Sequence, residues 1–241
     1  IQNAYKNDYN LYNYFIQVQD TMTLNRSGNL FFTPLFRLQK ASLDIDKALD
    51  PDEGNWLSSY NLALKKKIDP HITLKASYGT YYRVPSWFEL FGDGATIVSR
   101  WTMFHSTTQT GESLQNFIEK GTSWDVGVNW KGKLLKADTD LTLTYFHRDA
   151  DHLAVYCIDP MTGAPFYDNA ESGKIHGLEL GATMQWGKRW SLALSGTWND
   201  SQMTATDVAH WGASKSSNRT DYPFASIPKY EYNIRLNYLF P

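Results

Sequence analysis

Hydrophobic and polar residues alternate along this chain in steps of two. From Ile72, the apolar Ile72, Leu74, Ala76 and Tyr78 are interleaved with Thr73, Lys75, Ser77 and Gly79. That is the period of a β-strand with one apolar and one polar face. Tyr81, Tyr82 and Arg83 follow, then Val84-Pro85, where proline, lacking an N–H, ends the ladder. The same unit recurs on both sides. Tyr12, Tyr14, Ile16 and Val18 alternate with Asn13, Gln17 and Gln19, predicting a first strand over about 11–22. A second covers about 30–45, and its apolar positions change phase between Leu38 and Leu43, as a β-bulge would make them. A third, over about 56–67, sets Tyr60, Leu62 and Leu64 against Asn61 and Lys65. The strand at 72 is the fourth. The fifth, over about 121–131, sets Trp124, Val126, Val128 and Trp130 against Asp125, Gly127 and Asn129. Its apolar row carries Trp at both ends, about 20 Å apart at the strand rise. Further strands are predicted over about 140–154 and 173–186, from Trp190, and from Tyr230.

The connections alternate as well. Short turns fall near 26, 69, 135 and 188, and longer polar or aromatic loops near 51, 84–120, 158–172 and 200–228. Short turns on one rim and long loops on the other are the pattern of an outer-membrane barrel. The polar row is largely Asn, Thr, Ser, Gln and Gly, which suits a wet lumen. The fold class expected is therefore all-β, an antiparallel transmembrane β-barrel of about nine strands. Single-chain bacterial barrels close on an even number, and an open edge in lipid leaves backbone groups unpaired at several kcal/mol each. The 241 residues are thus expected to be one partial barrel domain, 1–241, of a longer protein.

Composition adjusts this picture only slightly. Aromatics make up 15% of the residues, with 9 Trp and 15 Tyr, the residues that gather where apolar and wet regions meet. A soluble, aromatic-rich β-domain that binds sugars has the same bias and is the alternative on composition. A passive porin-like barrel is the alternative on pattern. No apolar run is long enough for a transmembrane helix, and a mean hydropathy of −0.47 does not argue against barrel strands, whose alternation averages out. The net charge of −2 gives no basic excess for nucleic acid. The single cysteine, Cys157, excludes a disulfide framework.

Residues 78–91, YGTYYRVPSWFELF, resemble the barrel of TonB-dependent outer-membrane receptors, which carry G-x-x-x-R-x-P and then E-L-F ahead of an extracellular loop. EKGTSWDVG at 119–127, LTYFHRDADHL at 143–153, NAESGKIHGLEL at 169–180, and the pair 190–200 and 227–230 resemble further family motifs in family order. The loop segment 99–117 departs from the family pattern. The resemblance implies part of a probable 22-stranded barrel in the bacterial outer membrane. It implies energy-coupled uptake of a scarce ligand such as an iron-siderophore, haem or cobalamin. Implied partners are membrane lipid and lipopolysaccharide, an extracellular small-molecule ligand, and the TonB complex through a plug domain that this stretch lacks. No nucleic acid and no cofactor are implied.

For binding, the candidates are Arg83, Trp87, Trp101, Phe104, His105, His210 and Trp211, in or beside the two longest loops. Aromatic side chains there would stack on a flat ligand or a sugar. Arg83 and Arg148 would attract an anionic chelate or pair with Glu89, Asp149 or lipid phosphate. His147, Asp149, Asp151 and His152 carry metal-ligating groups at one strand top, where solvated polar residues are expected in any case, so no metal site is assigned. No G-x-S-x-G, HExxH or phosphate-binding loop occurs, and no enzyme is expected.

Overall fold

The computed structural model describes residues 9–45, 52–92, 118–158, 165–205, 220–222 and 227–240. They form one antiparallel sheet. In chain order its strands are β1 Tyr9–Gln19, β2 Met22–Thr23, β3 Leu30–Ile45, β4 Asp52–Lys67, β5 Ile72–Arg83, β6 Glu119–Leu134, β7 Ala137–Ile158, β8 Pro165–Trp186, β9 Trp190–Ala205, β10 Thr220–Tyr222 and β11 Tyr230–Tyr238, with one helical turn, α1 Trp87–Phe91, after β5. Each long strand pairs with its sequence neighbour. β2 continues the line of β1 beside β3, and β10 and β11 both lie beside β9. The sheet therefore has nine columns, the number expected from the alternation. β1 forms one edge and β10 with β11 the other, and the sheet is not closed within these residues.

Cross-strand register keeps each face uniform, since partners in an antiparallel ladder point the same way. One row runs Leu64, Ala76, Val126, Tyr145, Leu178 and Trp198, and on to Tyr230. The other face carries Lys65, Lys75, Gly127, Thr144, Glu179 and Thr197. No layer covers the apolar face: Leu64, Leu74, Val126, Leu143, Leu180 and Ile234 are all exposed, Ile234 at 76%. The described hydrophobic residues that are buried are few and mostly small. A soluble sandwich must bury one such face against a second sheet. This sheet instead presents its apolar face outward, as a barrel does to lipid.

Aromatic side chains edge that band. Near the long loops, Tyr60 and Tyr78 lie 6.1 Å apart and Trp124 and Tyr145 5.4 Å apart. Near the short turns, Trp190 and Tyr238 lie 4.5 Å apart, with Trp186 opposite Trp190. The expected irregularity in the second strand is found between Lys40 and Ser42, although the extra residue belongs to β4. Pro34 explains the gap between β1 and β2: it offers only a carbonyl, which accepts from the Asp20 N–H at 3.3 Å.

Three expectations are corrected. The first strand ends at Gln19 instead of reaching 22. The loop expected near 158–172 is shorter, because β8 starts at Pro165, and β7 and β8 each run 22 residues. Likewise β9 extends to Ala205 and β10 pairs back onto it. Beyond the bilayer both faces of a hairpin are wet, so the apolar-polar alternation fades while the backbone ladder continues.

Candidate functional site

The most elaborated part of the described structure is the long-loop rim above β5 and β6. Register places Arg83 opposite Glu119, with both side chains on the lumenal face. Arg83 Nε donates to Glu119 Oε2 at 2.7 Å. Its Nη1 donates to both Glu89 oxygens, at 3.0 and 2.9 Å. Tyr81 Oη donates to Glu119 Oε1 at 3.3 Å. One guanidinium thus ties the end of β5, the start of β6 and α1 together, a use that suits its fixed fork of donors.

α1 exists because its start is closed chemically. Ser86 is the N-cap: its Oγ accepts the Glu89 N–H at 3.3 Å, and Glu89 Oε2 accepts the Ser86 N–H at 2.7 Å. This is a capping box. Leu90 is fully buried beneath the turn, and Phe88 meets the Tyr167 ring edge-on at 5.7 Å, which fixes α1 against the extension of β8. Burial opposes ionisation of Glu89, but hydrogen bonds from Arg83 and the Ser86 backbone outweigh it and hold the carboxyl below its ordinary value. Gly121 lets Tyr81 lie across the ladder, since a Cβ there would collide with the Tyr81 ring and the Asp149 carbonyl oxygen.

Of the predicted binding residues, Arg83 and Trp87 fall in this assembly. Trp87 sits on α1, 41% exposed. Arg83 takes the pairing alternative with Glu89, and its second partner, Glu119, was not anticipated. The capping signature Ser86-x-x-Glu89 was a legible sign of α1 that the strand pattern overshadowed. Arg148 lies on the same lumenal face, opposite Ser123. Trp101, Phe104, His105, His210 and Trp211 lie outside the described residues.

The histidine and aspartate group at the top of β7 belongs to the other face. His147 stacks on Trp124 at 5.6 Å and on His176 at 6.1 Å, and its Nε2 lies 2.9 Å from Asp149 Oδ2. These residues join the outward aromatic belt instead of the vestibule. His152 sits at φ 60° in an irregular stretch of the β7–β8 ladder. Among the described residues, no three His, Cys, Asp or Glu side chains come together as a metal site would need.

Below the rim, the lumenal wall is mainly polar, with Phe146 and Ala193 among the exceptions. Ser77 donates to Asp125, and Asn129 donates to Asp140 and, at 3.0 Å, to Thr142 Oγ1. Lys131 pairs with Asp140 at 2.9 Å. A groove of about 710 Å³ follows this wall past Lys75, Thr183, Ser195 and Arg235.

An apolar outer face, a hydrated inner face, aromatic belts and one elaborated rim define a segment of a large transmembrane barrel. The model of the TonB dependent receptor-like β-barrel family matches residues 2–241, and the chain belongs to that family. It is accordingly part of a bacterial outer-membrane protein, in a family of transport receptors instead of enzymes. No curated protein matches it by sequence. Among solved structures, it is similar to the copper transporter OprC, with 18% identity and a TM-score of 0.66 over 97% of this chain and 33% of that one. The alcaligin outer-membrane receptor FauA from Bordetella pertussis gives 14% and 0.61, over 98% and 35%. The ferric yersiniabactin uptake receptor FyuA from Yersinia pestis gives 13% and 0.60, over 97% and 32%. At these identities the likeness is one of fold. The chain spans about a third of the length of these structures.

Proposed function

We propose that residues 1–241 form one partial barrel domain of a receptor that takes up a scarce ligand with energy delivered by the TonB complex. The observation that carries this reading is the rim: Arg83, Glu89 and Glu119 fix the base of the longest loop over a polar lumen. A loop base anchored in this way suits a receptor, which must hold its binding loops in place, and the family match favours a receptor over a passive pore. The missing strands would close the wall, at about 22 strands if it follows the largest plugged transporters. A plug domain outside this stretch would meet TonB.

Trp87 and the loop residues Trp101, Phe104, His105, His210 and Trp211 are the proposed ligand contacts, with Arg83 anchoring the loop that presents them. Iron-siderophores, haem and cobalamin are the proposed ligand classes, and copper joins them because OprC is described as a copper transporter. The test is uptake by cells that carry the whole receptor, with each ligand labelled in turn. One ligand should accumulate, only while TonB is present, and replacing Trp101 and Trp211 by Ala should weaken its binding. Accumulation that persists without TonB would identify a passive pore and overturn the proposal.

A further inference from the structure

The outward face is not evenly filled. Along the row Leu64, Ala76, Val126, Tyr145, Leu178, the side chains shrink to Ala76 and Val126 between larger neighbours. They leave an apolar groove of about 550 Å³. It crosses from β3 to β8, about 24 Å at the spacing of neighbouring strands. Its two ends differ. At β7 and β8 it reaches mid-strand, beneath the His147 and His176 rings. At β4 it ends at Lys66, one residue before the close of the strand and next to a short turn.

Lys66 is the single charged side chain on the outward face of this groove. It is half-buried, and its Nζ donates to Asn29 Oδ1 at 3.0 Å. The amide oxygen orients the ammonium without neutralising it. The turn that carries Asn29 also holds Arg26, and Asp69, in the turn at 68–71, accepts the His71 and Ile72 N–H groups at 2.7 Å each. The groove thus joins a long apolar trough to a cationic end at the short-turn rim, which is the periplasmic rim of such barrels. An acyl chain fits the trough, and a phosphate fits the end.

We propose that this groove seats a phospholipid of the periplasmic leaflet, one acyl chain lying over Ala76 and the phosphate held at Lys66. Continuity with the lipid-facing surface and the charge at one end together select this occupant. Lipopolysaccharide enters from the opposite rim and would bring its phosphates to the wrong end. The inference rests on the outward assignment of this face and not on the ligand that the receptor carries.

The test is native mass spectrometry of the whole receptor, extracted in detergent, delipidated and titrated with phosphatidylglycerol. The native receptor should retain one phosphatidylglycerol in preference to a lipid A analogue. Lys66→Gln should weaken that binding about five-fold, the contribution of one cation near an anionic headgroup. Ala76→Phe fills the trough and should weaken it about ten-fold or more, since each methylene left unburied costs about 0.8 kcal/mol. Lys66→Gln leaves the apolar surface untouched, so it remains informative if Ala76→Phe disturbs folding. Equal retention by the native receptor and Lys66→Gln would overturn the proposal. So would preference for the lipid A analogue, or a mass showing a second receptor over this face. Ligand uptake is not read in this assay, so its failure leaves the uptake reading standing.

Discussion

Arg83 shows how much one side chain can organise at this rim. It holds Glu119 and Glu89 in two ion pairs, with its own side chain 42% exposed and theirs 11% and 14% exposed. Charge-assisted hydrogen bonds of this kind contribute about 1.5–3 kcal/mol when sheltered, and solvent screening reduces that here to about 1–2 kcal/mol. Arg83→Met should therefore loosen the rim without unfolding the sheet. The check is hydrogen exchange at the Leu90 and Gly92 amides, which close the α1 turn onto Ser86 and Phe88. Protection there should fall about ten-fold while the middle of β6 is unchanged; unchanged α1 protection would mean that Arg83 does not hold the turn. The same turn carries a pH dependence. Because the native Glu89 carboxyl lies below its ordinary value, its contribution is full above the unfolded value of about 4.5 and is lost as pH falls through the native one. Protection of Leu90 should thus drop as the pH is taken below about 4.5, and Glu89→Gln should remove that dependence. Sequence alone offered Arg83 and Glu89 as partners, because they lie six residues apart. Glu119 stayed hidden because a register across a long loop brings it opposite Arg83, and register follows from the whole ladder and not from local spacing.

At the scale of the strand, the alternation is legible wherever lipid lies on one side and water on the other. β6 is the clearest case: Trp124, Val126 and Val128 face out, Asp125, Gly127 and Asn129 face in, and the sequence spells this directly. Val126→Arg puts a charge in the middle of the outward band and should cost about 2–4 kcal/mol in lipid, whereas Thr142→Arg on the lumenal face should be tolerated. Equilibrium unfolding in lipid vesicles distinguishes the two, and equal losses would contradict the assignment of faces. Strand ends were less legible. β7 and β8 continue to Ile158 and from Pro165, where both faces are wet and no apolar period marks the strand. α1 is a single turn whose signal is a cap instead of a period.

The whole molecule is read from what its sheet leaves uncovered. Nine columns with an apolar face and two open edges have no place in water, and family membership puts them in the outer membrane. Strand count, order and loop asymmetry were all available from the sequence, because membrane thickness and lumen hydration impose them on every strand alike. Ligand identity was not, because the long loops proposed to contact the ligand follow no periodicity. The most direct measurement is a spin-label scan through 123–129 of β6, one position at a time in the whole receptor in lipid, comparing relaxation by oxygen with relaxation by a water-soluble nickel chelate. Oxygen contact should peak at Trp124, Val126 and Val128, and nickel contact at Ser123, Asp125, Gly127 and Asn129. A profile without that two-residue period, or with nickel reaching Val126 as readily as Asp125, would contradict the barrel account.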